Sequence, residues 1–458
     1  MTVFIRRLSV QGLAVLTVSA IAIAGLVVLT AATPIKKVQF TDTKLKNGLR
    51  VIVSEDRSAP VVAVAVNYNV GSRDERKGRT GFAHLFEHMM FKGSENVGAL
   101  EHPYLIFSNG GSMNGTTNKD RTLYFEILPA NQLDLALFLE ADRMRSLDIT
   151  AANLDNQRNA VQEERRLGVD NQPYGRTFEV RDELAYENFA YEHSVIGSMA
   201  DLSAATVDDV ASFFKTYYAP NNAVLSIVGD VDAKVTLEKV RKYFEVLPSQ
   251  TPPPNVDMAE PEQKEERRTT LEDALARLSR VDMVYKIPPS SHADFDALQV
   301  LANILASGRS SRFFESIVRD KQLSTGVGAS AGENRGPGLF TIVSNANPGK
   351  AVADLEAAID AEVERIKTTP IQSWEIDKAR NSARSQLVNS LGSALNRSIT
   401  LGEDALFYDQ PDRINTTADR IAKVTPADVQ RVATQYLVKT SRTVVTTVPK
   451  APPAKGEL

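Results

Sequence analysis

The chain has 458 residues, 43% of them hydrophobic, with 53 basic against 57 acidic side chains, five histidines, one tryptophan and no cysteine. That length can bury at least two cores at roughly 150 residues per domain, and a net charge of −4 with no long single-sign run argues against a nucleic-acid binder. Without cysteine there are no disulfides, thiolate ligands, cysteine nucleophiles or lipidated N-terminal cysteine, so any metal must be held by His, Asp or Glu.

At the N-terminus, Arg6 and Arg7 precede the apolar run LAVLTVSAIAIAGLVVLTAA, which turns polar at TPIKK. Residues 1–32 read as an export signal. The run is nearly long enough to span a bilayer, so an uncleaved anchor competes with cleavage near Ala32; Thr30, Ala31, Ala32 and Pro34 favour cleavage. Either form places the remainder outside the cytoplasm, in the periplasm or cell envelope, with membrane contact only through this segment.

Beyond residue 37, LRVIVSED and VVAVAVNYNV read as strands; in the second, Val62, Val64, Val66, Tyr68 and Val70 share one face. ANQLDLALFLEADRMRS carries Leu133, Leu137, Ala141 and Met144 at helical spacing, and Thr150 caps a further helix running to Gly168. The proline-rich, then charged stretch 248–268 has no apolar period and is a linker. It separates a domain at 37–247 from one at 269–450, with a short tail at 451–458. TVDDVASFFKTYYAPNNAVLSIV from Thr206 aligns without a gap on TPADVQRVATQYLVKTSRTVVTT from Thr425, matching Asp209 with Asp428, Val210 with Val429 and Tyr217 with Tyr436. The expected fold is therefore α+β: two homologous sandwich-like domains, each a mixed or antiparallel sheet with helices packed on it. A chance recurrence of capped helix and strand is the competing account.

GFAHLFEHMMFKG, residues 81–93, holds His84, Glu87 and His88. On a helix, residues four apart share a face, so both imidazoles reach one cation, while Glu87 lies beside them within reach of a water on the metal. Zinc suits this set, since catalytic zinc takes three protein ligands plus a water and a nearby carboxylate acts as general base. Two histidines decorating a polar helix face is the alternative. His102, His193 and His292 stand singly and read as structural residues. For the third ligand, the helix after Thr150 has an apolar stripe through Ala160, Val161 and Leu167 on which Glu164 falls, whereas Glu163 points about 100° away. A carboxylate on a buried face needs a partner or a metal.

HLFEH, followed by NGTTNKDRTLYFEI and NAVQEERR, resembles the pitrilysin/insulinase family of inverted zincins. The resemblance implies one zinc ion per chain held by His84, His88 and Glu164, with Glu87 activating the water, and Glu164 stands at the spacing the family keeps. It also implies that substrate is added as a strand beside the metal helix, with Asn114 bonding its backbone and Gly110 and Gly111 allowing close approach, although a plain turn explains two glycines almost equally well. Two positions depart from the pattern. Gln157 replaces a supporting glutamate. In ESIVRDKQLSTGVGAS, Arg319 is kept, but Thr325 and Gly326 stand where a tyrosine should help hold the substrate carbonyl. The expectation is a zinc endopeptidase acting on peptides or unfolded segments between two bowl-shaped halves. It would be the catalytic subunit of a dimer with a homologous subunit that lacks the zinc motif and supplies the Arg/Tyr pair, or alternatively with a second copy. The competing function is a non-catalytic assembly subunit, which would predict a degraded metal motif.

Overall fold

The computed structural model describes residues 35–450, and from Gln39 the chain builds two β-sheets. The N-terminal apolar segment and the tail at 451–458 lie outside the described residues. Among the described residues no helix is long and apolar enough to cross a membrane. The first sheet contains β1 (Thr41–Lys44), β2 (Arg50–Glu55), β3 (Val61–Tyr68), β4 (Ser112–Thr117), β5 (Thr122–Pro129) and β6 (Ala223–Gly229), in the order β1-β2-β6-β3-β5-β4. The second contains β7 (Arg267–Asp273), β8 (Arg280–Ile287), β9 (Ser324–Ala331), β10 (Gly338–Ala346) and β11 (Arg442–Pro449), in the order β7-β11-β8-β10-β9. Each sheet has one parallel pair, β2 with β6 and β7 with β11, and is otherwise antiparallel. Strands β2, β6, β3, β5 and β4 thus correspond in order and direction to β7, β11, β8, β10 and β9, the duplicated mixed sheet that the internal repeat predicts.

The helices of the first half that bear on the site and its supports are α1 (Phe82–Met89), α2 (Glu101–Ser108), α3 (Leu133–Arg145), α4 (Ala151–Arg165), α5 (Gly175–Ala185) and α6 (Val207–Tyr217). In the second half they include α7 (Phe295–Ala306), α8 (Val352–Thr368), α9 (Ser373–Leu391), α10 (Ala394–Tyr408) and α11 (Pro426–Tyr436). The repeated threonines cap α6 and α11 alike: Thr206 Oγ1 accepts from the Asp209 amide and Thr425 Oγ1 from the Asp428 amide, each at 3.2 Å, and each aspartate bonds back to its threonine.

Two helices are exchanged between the halves, which the linear division did not anticipate. Helix α5 packs on β11, β7 and β8, whereas α10 packs on β3 and β6. The Val/Ala alternation of β3 follows from this. Val62, Val64, Val66 and Tyr68 join the first core, while Ala63, Ala65 and Asn67, all fully buried, leave a shallow face that admits a helix. Helix α10 contributes Gly402 to that contact, where a Cβ would stand 2.2 Å from Asn67 Nδ2 and 2.7 Å from Ser226 Oγ. Ion pairs fasten its length: Arg397 with Asp56, Arg121 with Glu403 at 2.8 Å, and Arg50 with Asp409 at 2.5 Å. In return, Thr177 of α5 bonds Thr447 of β11 at 2.7 Å. The predicted linker 248–268 has no helix or strand up to residue 266, but its Val256 and Met258 pack on a cluster with Tyr186 and Tyr191, and its last two residues, Arg267 and Arg268, belong to β7.

Candidate metal centre

Helix α1 is short and must be held from outside. Gly81 precedes it at φ 83°, a left-handed conformation that favours glycine, and a Cβ there would also meet the Ile196 carbonyl at 2.6 Å. Glycine offers no side-chain cap, so Glu75 supplies one from the preceding loop. Its two oxygens accept from the Gly81 and Ala83 amides at 2.9 and 2.7 Å, and His193 Nε2 bonds the same carboxylate at 2.9 Å. Burial raises the Glu75 pKa against the pull of His193 and the amides; burial opposes protonation of His193, but Glu75 outweighs it and the histidine pKa rises. Glu75→Gln is expected to lower unfolding stability by about 2 kcal/mol in a urea titration, because it removes a charge-assisted cap and turns an amide donor towards another donor.

The apolar face of α1 fixes its rotation. Phe82, Leu85, Phe86 and Met89 are buried, and the Phe86 ring lies 4.2 Å from that of Tyr218 and 5.5 Å from that of Phe213. The opposite face, with His84 and His88, looks towards α4, and their rings are 4.8 Å apart and nearly perpendicular. Glu164 Oε2 stands 3.6 Å from His84 Nε2 and 3.4 Å from His88 Nε2. Two imidazole nitrogens and one carboxylate oxygen at these separations fit the edges of a tetrahedron around zinc, about 3.3 Å for ligands at roughly 2.0–2.1 Å. Burial, then the proximity of His88, pushes the His84 pKa down to about 4, leaving the neutral imidazole that binds metals. Burial likewise lowers His88, opposed by Glu164 and by a hydrogen bond to the buried Gln157.

The argument that selected Glu164 needs correction even though the residue is in place. Ala160 and Leu167 are exposed, and the buried face of α4 runs through Leu154, Gln157 and Val161. Glu164 continues that face one turn beyond the core, so its side chain is half exposed rather than buried. Leu167 leaves the phase of α4 because the chain widens into a π-helical turn over Arg166–Asp170.

Glu87 points between α1 and the edge strand β4. One oxygen, Oε2, accepts from Thr117 Oγ1 at 2.6 Å, and burial pushes its pKa up to about 7 against that hydrogen bond. Gly115 makes the room: a Cβ there would lie 2.9 Å from Glu87 Oε1. Neither Thr117 nor Gly115 stood out in the sequence, although both fall on one face of NGTTN once it is read as a strand. Asn114 lies on the other face of β4, exposed, with its own Oδ1 accepting from Gly115 N. Gly110 takes φ 78°, and Gly111 is small for a packing reason, since a Cβ would meet Leu128 and the Ile127 carbonyl at 2.5 and 2.6 Å. Arg319 is exposed and paired with Glu315 and Asp320 in the second half, and Thr325 and Gly326 are exposed at the start of β9.

A second trio, His102, Glu126 and Glu140, brings ligand atoms within 4.8 Å of one another in the interior. His102 is therefore not solitary, as the sequence implied. Its Nε2 bonds Glu126 at 2.5 Å, while Arg143 forks both oxygens of Glu140, so the charges already have partners and a guanidinium occupies the neighbourhood a cation would need. The remaining histidines follow suit: His193 serves Glu75, and His292 caps a turn through Asp294 N.

Residues 50–198 match the family model Insulinase (Peptidase family M16), and residues 204–383 match Peptidase M16 inactive domain. The zinc protease PqqE of Helicobacter pylori is 31% identical over 404 residues, covering 88% of this chain and 91% of that protein. The chain belongs to peptidase family M16. The crystal structure of a protease from Helicobacter pylori superposes with a TM-score of 0.86 at 30% identity, over 90% of this chain and all of that one. The periplasmic protease PqqL of Escherichia coli shares the fold at 19% identity and a TM-score of 0.76, with 92% of this M16 chain aligned to 48% of its length. Family membership and the assembled donor set make the chain a metalloprotease.

Proposed function

We propose that this chain is an endopeptidase that holds one zinc ion at His84, His88 and Glu164, uses Glu87 as its general base, and cuts peptides or unfolded segments as the catalytic member of a pair. The observation that carries this reading is the convergence of α1 and α4: two imidazole nitrogens within 3.6 Å of one carboxylate oxygen, with a second carboxylate, Glu87, alongside and in no ion pair among the described residues. Zinc, when bound, supplies Lewis-acid activation of a water and of the scissile carbonyl. Glu87 takes the proton of the attacking water on its carboxylate and returns it to the leaving amine. Strand β4, at the sheet edge beside α1, offers unpaired backbone groups to an extended substrate, and Asn114 lies on that strand where its amide can reach the added chain. Gln157 orients His88 from behind.

Pairing is supported by the incomplete donor set, in which Arg319 points to solvent and no tyrosine stands at 325 or 326, and by the two-to-one length relation to PqqL. A homologous subunit that lacks the zinc motif and carries the missing Arg/Tyr pair is the favoured partner. The apolar run at 13–32 supports export to the periplasm or cell envelope, to be checked by fractionation. The test is direct. The purified chain should carry one zinc per chain, lose hydrolysis of an unstructured peptide on chelation and regain it with zinc, and gain activity at least tenfold when its partner is added. Full activity as a lone monomer would remove the pairing, and a metal-free, inactive chain that still assembles would favour the scaffold reading.

A further inference from the structure

Resting on that reading of the site, we infer that Thr117 is the positioning residue for the general base, holding one oxygen of Glu87 so that the other faces the reacting water. Glu87 is buried and makes no ion pair among the described residues, Arg121 acting on it only from a distance; the hydrogen bond that holds its carboxylate is the 2.6 Å bond from Thr117 Oγ1 to Oε2. The other oxygen, Oε1, has no hydrogen-bond donor among the described residues and lies over Gly115, where only the absence of a Cβ leaves it space. A carboxylate gripped at Oε2 and free at Oε1 has one oxygen available to the reacting water.

Thr117 has one proton to give, and a charge-assisted bond to the carboxylate at 2.6 Å outcompetes its 3.4 Å contact with Thr122 Oγ1, which itself donates to the Val70 carbonyl at 3.0 Å. The Thr117 hydroxyl is therefore committed to Glu87.

Thr117→Val keeps the shape and β propensity of the residue and removes only the hydroxyl. The expected result is unchanged zinc content and KM, a ten- to hundredfold fall in kcat, and recovery to within about threefold of the parent in Thr117→Ser. Gly115→Ala, which displaces Oε1 instead of releasing Oε2, should also lower kcat without loss of zinc. In a Glu87→Gln background, Thr117→Val should cost nothing further, because both changes act through one group. Crystal structures of the parent and of Thr117→Val supply a readout independent of activity: the Glu87 carboxylate should be rotated or disordered in the variant. Full kcat in Thr117→Val, an additional loss in the Glu87→Gln background, or an unmoved carboxylate would overturn the inference. A parent chain that binds no zinc or cuts no peptide would instead defeat the functional reading, and the crystallographic comparison would still decide the role of Thr117.

Discussion

Glu87→Gln is expected to keep its zinc and lose peptide hydrolysis by about a thousandfold or more in kcat. The metal donors are His84, His88 and Glu164, and Glu87 contributes no atom to the 3.4–3.6 Å set, so an uncharged isostere leaves the cation site intact. The amide can still accept from Thr117, so the side chain stays in place between α1 and β4. It loses the capacity to take a proton from water and pass it to the leaving amine, a contribution of roughly a hundred- to ten-thousandfold in general acid–base catalysis. Zinc content by metal analysis and kcat on an unstructured peptide check both halves of the expectation. A variant that loses zinc along with activity would place Glu87 among the ligands and refute the division of labour.

The second large effect concerns the exchanged helix. Gly402→Val is expected to destabilise the protein by about 4 kcal/mol, measured as the shift in a urea unfolding curve at constant m-value. The sign is informative. In an ordinary helix, replacing glycine by alanine or a larger residue removes backbone entropy and costs nothing or stabilises by up to about 1 kcal/mol. Here the first added carbon would sit 2.2 Å from Asn67 Nδ2 and 2.7 Å from Ser226 Oγ, both fully buried in the sheet of the other half, so α10 would have to lift off β3 and β6. Asn67→Ala removes the nearer obstacle and should recover part of the loss when combined with Gly402→Ala. A Gly402→Ala variant more stable than its parent would show that the contact has slack. Because α10 and α5 each complete the sheet of the opposite half, the two halves should also unfold in one transition; separate transitions would mean that the exchanged helices contribute little.

Much of the site was legible because its chemistry is local. His84, Glu87 and His88 lie within five residues on one helix, and a spacing of four in α1 is enough to bring two imidazoles together. Glu164 stands beside the two histidines, but it was selected by a stripe that α4 does not bury: the π-helical turn after Arg165 and the end of the core beyond Val161 are properties of packing, and the pattern of apolar letters could not distinguish Leu154, Gln157 and Val161 from Ala160 and Leu167. His102 looked solitary because its partners Glu126 and Glu140 come from β5 and α3, separated from it in sequence.

The sequence by itself determined that no thiol chemistry occurs, that any cation must be held by His, Asp or Glu with His84 and His88 on one helix face, and that the architecture is duplicated. These follow from composition, helical periodicity and the matched capping boxes at Thr206 and Thr425, all short-range properties of the chain. Only the tertiary structure decided how the parts serve one another: Glu75 capping α1 from the preceding loop, Thr117 and Gly115 shaping the space around Glu87 from the edge strand, and α5 and α10 crossing between halves. Each of these depends on which surfaces are small enough or polar enough to meet at a distance in sequence. The alanines of β3 and the glycine of α10 are complementary, but neither segment reveals the other until the fold brings them into contact.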